Sequence, residues 1–523
     1  MQRRDFLTAG TALGLTFSGI PWHVLAAGNP GGVLNACVQP EPPGLNPSVH
    51  NNAPVQTVGG NLYEGLLRYD ENLQPQPCLA QSWDVSTDGL VCTFRLKPNV
   101  RWHDGKPFTA DDVVFSADVF NRAMHPKARS NMAQMQSIRA LDALTVEFRL
   151  KNTFGPLIDM FPVNALPIVP KHLYAGATEL RNHPSNSQYI GTGPFKFKEW
   201  VKGSYIHLER FADYHETDLP LLDAIYFHII PDAAARANAF ESGKIDVLPA
   251  GTVEYFDVVR LSKLPGAAVT QRGLDLFCPQ SHIILNNRKA PMDDVQFRRG
   301  LSLALDREAM RRIVWYGFAD VASGPFNSRL KFSVSGKSLP KLAHDKAQAR
   351  KLIAASGYRG QALNMMALPY GETWQRLAEV ARQNFSDVGV KTTLVANDAA
   401  GWNAKMNAWD FDITFTYNQG HGDPEIGMRR LYTTANIAKG TPFNNVQGYS
   451  NPRVDTLFEQ GAVEFDQDKR AQIYREIQEI LVADMPVLWL HELNFPTLYR
   501  TRVNNIINSG AGINDSLARA WIA

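Results

Sequence analysis

Tyr417-Asn418-Gln419-Gly420-His421-Gly422-Asp423-Pro424 brings a phenol, two amides, an imidazole and a carboxylate into one short run. Aromatic faces beside amide donors and acceptors suit neutral to weakly charged solutes such as sugars, blocked peptides or opine-like conjugates. Tyr370, Trp374, Trp402 and Trp409 precede the run and extend the aromatic character. Other chemistries fit less well. His421 has no second histidine at a spacing that would hold a metal, and the chain carries no CxxC, HExxH or strand-to-helix GxGxxG motif. Cys37, Cys78, Cys92 and Cys278 are scattered, unlike a cluster or zinc framework. Cys78 and Cys92 are spaced either to bridge a short loop in an oxidising compartment or to pack as small apolar residues. His103-Asp104-Gly105 reads as a turn after an apolar strand rather than as an acid–base pair.

These residues need a scaffold, and its periods are legible. Phe411, Ile413, Phe415 and Tyr417 alternate as in a strand, which places the Asn418–Asp423 run in the loop that leaves it. Upstream, Leu377, Val380, Ala381, Phe385 and Val388 follow a helical period closed by Gly389, and Val390, Thr392, Leu394 and Ala396 alternate again. Helix and strand in succession predict a layered α/β lobe, in which ligands sit at the loops leaving the strands. Thr109 ahead of Asp111 and Asp112 predicts a capped helix start with Val113, Ala117 and Phe120 on one face. Ile473, Ile477, Ile480 and Leu481 form the apolar face of the last long helix, which Pro486 follows.

Residues 1–27 read as a twin-arginine export signal: Arg3-Arg4, an apolar run from Ala9 to Ile20, then Ala26 and Ala27. The apolar run is shorter than the roughly 18–20 residues that span a bilayer. A lipid-attachment reading at Cys37 is disfavoured by the polar Asn35 in the box before it. The expected location is the periplasm. With 523 residues, 44% of them apolar, the chain can bury several cores, and a net charge of +2 gives no reason to expect nucleic acid or an anionic membrane as partner.

Three blocks in fixed order carry a wider likeness. They are Leu79–Val114, Ile190-Gly191-Thr192-Gly193-Pro194-Phe195-Lys196-Phe197, and Asn286–Arg299, followed by Gly448-Tyr449-Ser450-Asn451-Pro452 and Val454-Asp455. In these the chain resembles the family 5 extracellular solute-binding proteins, the peptide-, oligopeptide- and nickel-type receptors of ABC importers. The resemblance implies a two-lobed periplasmic binding protein-like α/β fold, type II, of the large cluster with an inserted subdomain. It implies a first lobe of residues 33–65, 200–281 and 492–523, an inserted subdomain at 66–199, and a second lobe at 282–491. Crossings between lobes are expected near Ile283 to Asn286 and near Leu490 to Asn494.

The implied function is capture of a small organic solute between two lobes, without catalysis, and delivery to permease subunits in the inner membrane by a monomeric receptor that needs no cofactor or metal. Peptides, opine-like conjugates and oligosaccharides are the candidate solutes. The candidate ligand residues are Tyr63, Tyr370, Trp402, Tyr417, Asn418, Gln419, His421 and Asp423. Where peptide receptors of the family place an aspartate for the peptide ammonium, this chain has Gly420, and Leu368 stands where dipeptide receptors place an arginine for the carboxylate. A free-ended dipeptide is thereby disfavoured, because each buried charge needs a partner. A slip of the alignment would instead make Asp423 the ammonium partner. Arg429 and Arg430 are read as a solvated helix face, with an anionic ligand as the alternative. A metal-chelate or haem receptor of the same fold, and a twin-arginine-exported enzyme, are the competing readings.

Overall fold

The computed structural model describes residues 28, 30–339, 341–441 and 443–523; the expected export signal lies outside them. One large sheet has seven strands in the spatial order Ala267–Thr270, Thr497–Arg500, Val247–Leu248, Val33–Val38, Ala224–Ile229, Tyr205–Arg210 and Phe195–Val201. Val33–Val38 lies near its centre and pairs parallel with Ala224–Ile229 from Val33↔Ala224 to Val38↔Ile229. Cys37 is fully buried in this strand, which removes it as a lipid-attachment site. The second large sheet has six strands, ordered Ala319–Val321, Val487–Leu493, Gln280–Leu285, Ile413–Asn418, Leu363–Met366 and Thr392–Leu394. Every residue of Gln280–Leu285 and Val487–Leu493 is buried, as expected for strands covered on both faces.

A third, four-stranded antiparallel sheet is built from Ala80–Val85, Val91–Leu96, Thr145–Leu150 and Met135–Asp142, with its own core around Phe94, Phe148 and Phe161. The two large sheets are joined by two passages of chain, at 271–279 and 494–496. The first passage lies upstream of the expected Ile283 to Asn286, because Ile283 sits inside a strand hydrogen-bonded on both edges. The chain that follows the strand Thr145–Leu150 touches the helix Pro452–Val463 directly: Thr153 Oγ1 donates to the Val463 carbonyl at 2.7 Å and the Gly155 N–H to the Ala462 carbonyl at 2.7 Å.

Several local expectations appear in the structure as physical detail. The helix Glu372–Asp387 buries Leu377, Ala381 and Phe385, and Gly389 follows it with φ 89°, a conformation open to glycine. The following strand is shorter than its alternation suggested, Thr392–Leu394 only. Thr109 and Asp112 form a reciprocal capping box at the start of Ala110–Val114. All four cysteines are free and buried, so Cys78 and Cys92 pack rather than bridge.

The Gly191-Thr192-Gly193 motif is a close backbone-to-backbone seam. The Gly193 N–H donates to the Leu62 carbonyl at 2.9 Å, and the Phe195 N–H to the Asn61 carbonyl at 3.2 Å. His103 rivets the same segment. Its Nδ1 accepts from the Gly191 N–H at 3.1 Å, and its Nε2 sits 3.0 Å from the Gly193 carbonyl as donor. Burial lowers its pKa to about 4, which keeps the ring neutral in that tautomer. The His103-Asp104-Gly105 segment is a turn closed by the Gly105 N–H on the Trp102 carbonyl at 2.8 Å, and its chemistry is structural.

Candidate functional site

A cavity of about 230 Å³ opens at the end of the strand Ile413–Asn418. Two adjacent strands build its floor. The antiparallel register sets His282 opposite Thr416 and Gln280 opposite Asn418. Alternation therefore puts His282, Ile284, Thr416 and Asn418 on one face, and all four line the cavity. The walls add Tyr370, Gln419, Arg430, Tyr432, Phe443 and Asn444.

The side-chain amides of Asn418, Gln419 and Asn444 are not engaged in any side-chain hydrogen bond among the described residues, so their donors and acceptors are free to meet a solute. His282 is buried, and that burial lowers its pKa to about 4, so it faces the cavity as a neutral imidazole. Tyr417 reaches the rim, but its ring lies 5.7 Å from Trp374 at 21° and 5.8 Å from Phe495 at 68°. It is thus part packing and part lining, and burial raises the pKa of its hydroxyl.

Of the eight candidate ligand residues, Tyr370, Tyr417, Asn418 and Gln419 come together here, and the other four do not. Trp402 is 1% exposed and donates its indole N–H to Thr414 Oγ1 at 2.9 Å, so it is core beneath the strand. Tyr63 is 2% exposed and packs in the first-lobe core with Val169 and Phe195, under the Gly191 seam. His421 takes φ 51° and lies edge-on to Phe277 at 5.9 Å; burial drives its pKa well below the usual range.

Asp423 is fully buried and already paired. Arg470 Nη1 and Nη2 donate to its two oxygens at 2.9 Å and 3.0 Å, and its Oδ1 also accepts the Glu425 N–H at 2.9 Å as the cap of Pro424–Gly427. A solute ammonium has no access to it, which removes the alternative alignment. Gly420 donates its N–H to the Phe277 carbonyl at 2.6 Å, and a Cβ there would stand 2.8 Å from Leu330 Cδ1. Among the described residues no acidic side chain lines the cavity.

The sequence did not mark His282, Thr416, Asn444 or Gln447 as lining residues, and it left Arg430 on a solvated face. Arg429 and Arg430 separate because neighbours on a helical turn point apart. Arg429 pairs with Glu425 at 2.6 Å, while Arg430 turns into the cavity and donates to the Phe443 carbonyl. Among the described residues no group of three metal-ligating side chains converges, and no helix is long and apolar enough to cross a membrane.

Known proteins bear on this geometry. The model of the family described as bacterial extracellular solute-binding proteins, family 5 middle, matches residues 74–439. The glutathione-binding protein GsiB of Pectobacterium atrosepticum is 27% identical over 469 residues, covering 85% of this chain and 86% of that protein. Among solved structures, the ABC transporter substrate binding protein CtaP of Listeria monocytogenes superposes with a TM-score of 0.84 at 26% identity, covering 94% of this chain and all of that one. The periplasmic binding protein DppA of Helicobacter pylori, in complex with the peptide STSA, superposes with a TM-score of 0.79 at 22% identity, covering 94% of this chain and 98% of that one.

Proposed function

The chain belongs to the family 5 bacterial extracellular solute-binding proteins, and from that premise we propose that it captures a small peptide-like solute in the Asn418 cavity, leaves it chemically unaltered, and delivers it to an ABC permease. The supporting observation is the wall of the cavity: aromatic rings with three unengaged amides, at the exit of a buried strand of the second large sheet, in a fold of two lobes. A cleft of this kind works by differential affinity. A solute that contacts both sides favours the closed form by the contacts the open form lacks, and closure removes water from the few polar groups that orient it. In this reading the insertion expected at 66–199 ends before the strand Phe195–Val201, which hydrogen-bonds in the first large sheet, and the second lobe expected at 282–491 takes in the whole of the strands Gln280–Leu285 and Val487–Leu493. Location in the periplasm, export through the twin-arginine signal and a monomeric state belong to the same proposal.

GsiB is named for glutathione and the DppA structure holds a peptide, so peptide-like solutes are the first to assay here. A stabilising solute raises the folding free energy by RT ln(1 + [L]/Kd), so a thermal-shift panel of peptides, peptide conjugates, opines and oligosaccharides identifies it. Asn418→Ala is expected to weaken the identified solute about tenfold, the worth of one or two lost hydrogen bonds, while the empty protein changes by less than about 1 kcal/mol. Calorimetric titration of wild type and variant checks this. Equal affinities would move the site away from this cavity. Tyr417→Ala is a poorer probe, because losing its packing on Trp374 and Phe495 lowers stability as well.

A further inference from the structure

Among the described residues that line the cavity, Arg430 has the only charged side chain. Burial lowers its pKa to about 10, which leaves it cationic at neutral pH. It has no carboxylate within ion-pair distance among the described residues, and the Phe443 carbonyl engages one of its five N–H donors. A half-buried guanidinium without a counter-charge is costly unless something supplies one. Nothing fixed in the cavity does. His282 is neutral, the amides carry no charge, Asp423 is bound to Arg470, and Glu425 is bound to Arg429.

A second cation lies near Arg430. Lys127 stands on the helix Pro126–Met132 of the insertion and also lacks an ion pair among the described residues. Burial lowers its pKa to about 8, Asp159 partly offsets this, and the charge of Arg430 lowers it further. His421 lies within reach of both charges, and its Nδ1 is buried without a partner. Two like charges thus stand near one another beside a cavity that no acidic side chain lines among the described residues. An anion between them turns that repulsion into attraction and ties solute charge to closure.

Resting on the reading that this cavity holds the solute, we infer that the solute bears a carboxylate that pairs with Arg430 and is approached by Lys127, and that its amine is absent or masked by acylation. The masking follows from the lining: a free ammonium would find no carboxylate in the cavity.

The test uses four pooled dipeptide libraries that differ only at their ends: free, N-acetylated, C-amidated, and blocked at both. The whole protein is titrated as wild type, Arg430→Gln, Arg430→Lys and Lys127→Gln, with the thermal shift of each as readout. The N-acetylated pool, which is anionic, is expected to bind wild type best and the C-amidated pool, which is cationic, worst. Arg430→Gln is expected to weaken the N-acetylated pool at least about tenfold and to leave the doubly blocked pool unchanged. Arg430→Lys keeps the charge without the fork and falls between. Should Arg430→Gln not fold, the order of pools on wild type and the loss in Lys127→Gln carry the test.

The inference is overturned if the C-amidated pool binds as tightly as the N-acetylated one, if Arg430→Gln binds the N-acetylated pool unchanged, or if no pool responds. Binding of the amidated or doubly blocked pool that Asn418→Ala weakens would sink the anion alone and keep the receptor. Silence of the pools together with the wider solute panel would remove both.

Discussion

Arg470→Met is expected to destabilise the empty protein by about 3–5 kcal/mol, the cost of leaving a buried charge without its partner. Arg470 and Asp423 are both fully buried. The guanidinium also donates to the Gly461 carbonyl at 3.0 Å and to the Tyr474 hydroxyl at 3.3 Å, and the backbone of Gly155 from the insertion packs against it so closely that a Cβ there would stand 2.6 Å from Nε. One side chain therefore joins the last long helix Gln467–Asp484, the helix Pro452–Val463, the loop that leaves the cavity strand, and the insertion.

Removing it strands Asp423 near Asp159 and Glu425, whose pKa values burial has already raised to about 6 and about 7. The sign of the pH dependence follows. The charge of Arg470 lowers the pKa of both Asp159 and Glu425, so without it these two raised values rise further, and the stability of the variant is best preserved at low pH and is lost as pH rises through them. Urea unfolding of wild type and variant across pH measures this. The double variant Arg470→Met with Asp423→Asn, which removes the stranded charge, is expected to recover part of the loss. A deficit that does not depend on pH would contradict the ion-pair account and point to lost packing alone.

Gly191→Ala is expected to cost at least the roughly 1–3 kcal/mol of an overpacked core. An added Cβ would stand 1.8 Å from the Leu62 carbonyl oxygen, and backbone on both sides leaves no flexible side chain to give way. The same carbonyl accepts the Gly193 N–H, so moving it apart also loosens that bond. Gly357→Ala is the control: a Cβ there meets nothing within 4 Å, and the change is expected to stay within about 0.5 kcal/mol or to stabilise slightly through the unfolded chain. Equal melting temperatures for the two variants would contradict the seam as the reason for the motif.

The sequence carried much of this architecture. The Gly191 motif, the helix ending at Gly389, the Thr109 cap and the alternation from Phe411 to Tyr417 each depend on neighbours close in the chain, and each is visible as spacing. The site was legible only in part. Alternation identifies Thr416 and Asn418 as sharing a face, yet which face borders the cavity is fixed by the strand Gln280–Leu285, far away in sequence. Asp423 looks like a free carboxylate until Arg470 is placed beside it, and Trp402 looks like a ligand platform until Thr414 takes its N–H. For Arg430 the sequence favoured a solvated face over the anionic-ligand alternative. Two adjacent arginines read as a solvated pair, and only the packing of Glu425 against Arg429 shows that the second is turned inward.

The central claim is that two halves close around a solute. Small-angle X-ray scattering of the protein, first emptied by unfolding and refolding and then saturated with the solute that raises its melting temperature, tests this most directly. The account predicts a smaller radius of gyration in the saturated sample. An unchanged radius at full occupancy would contradict it.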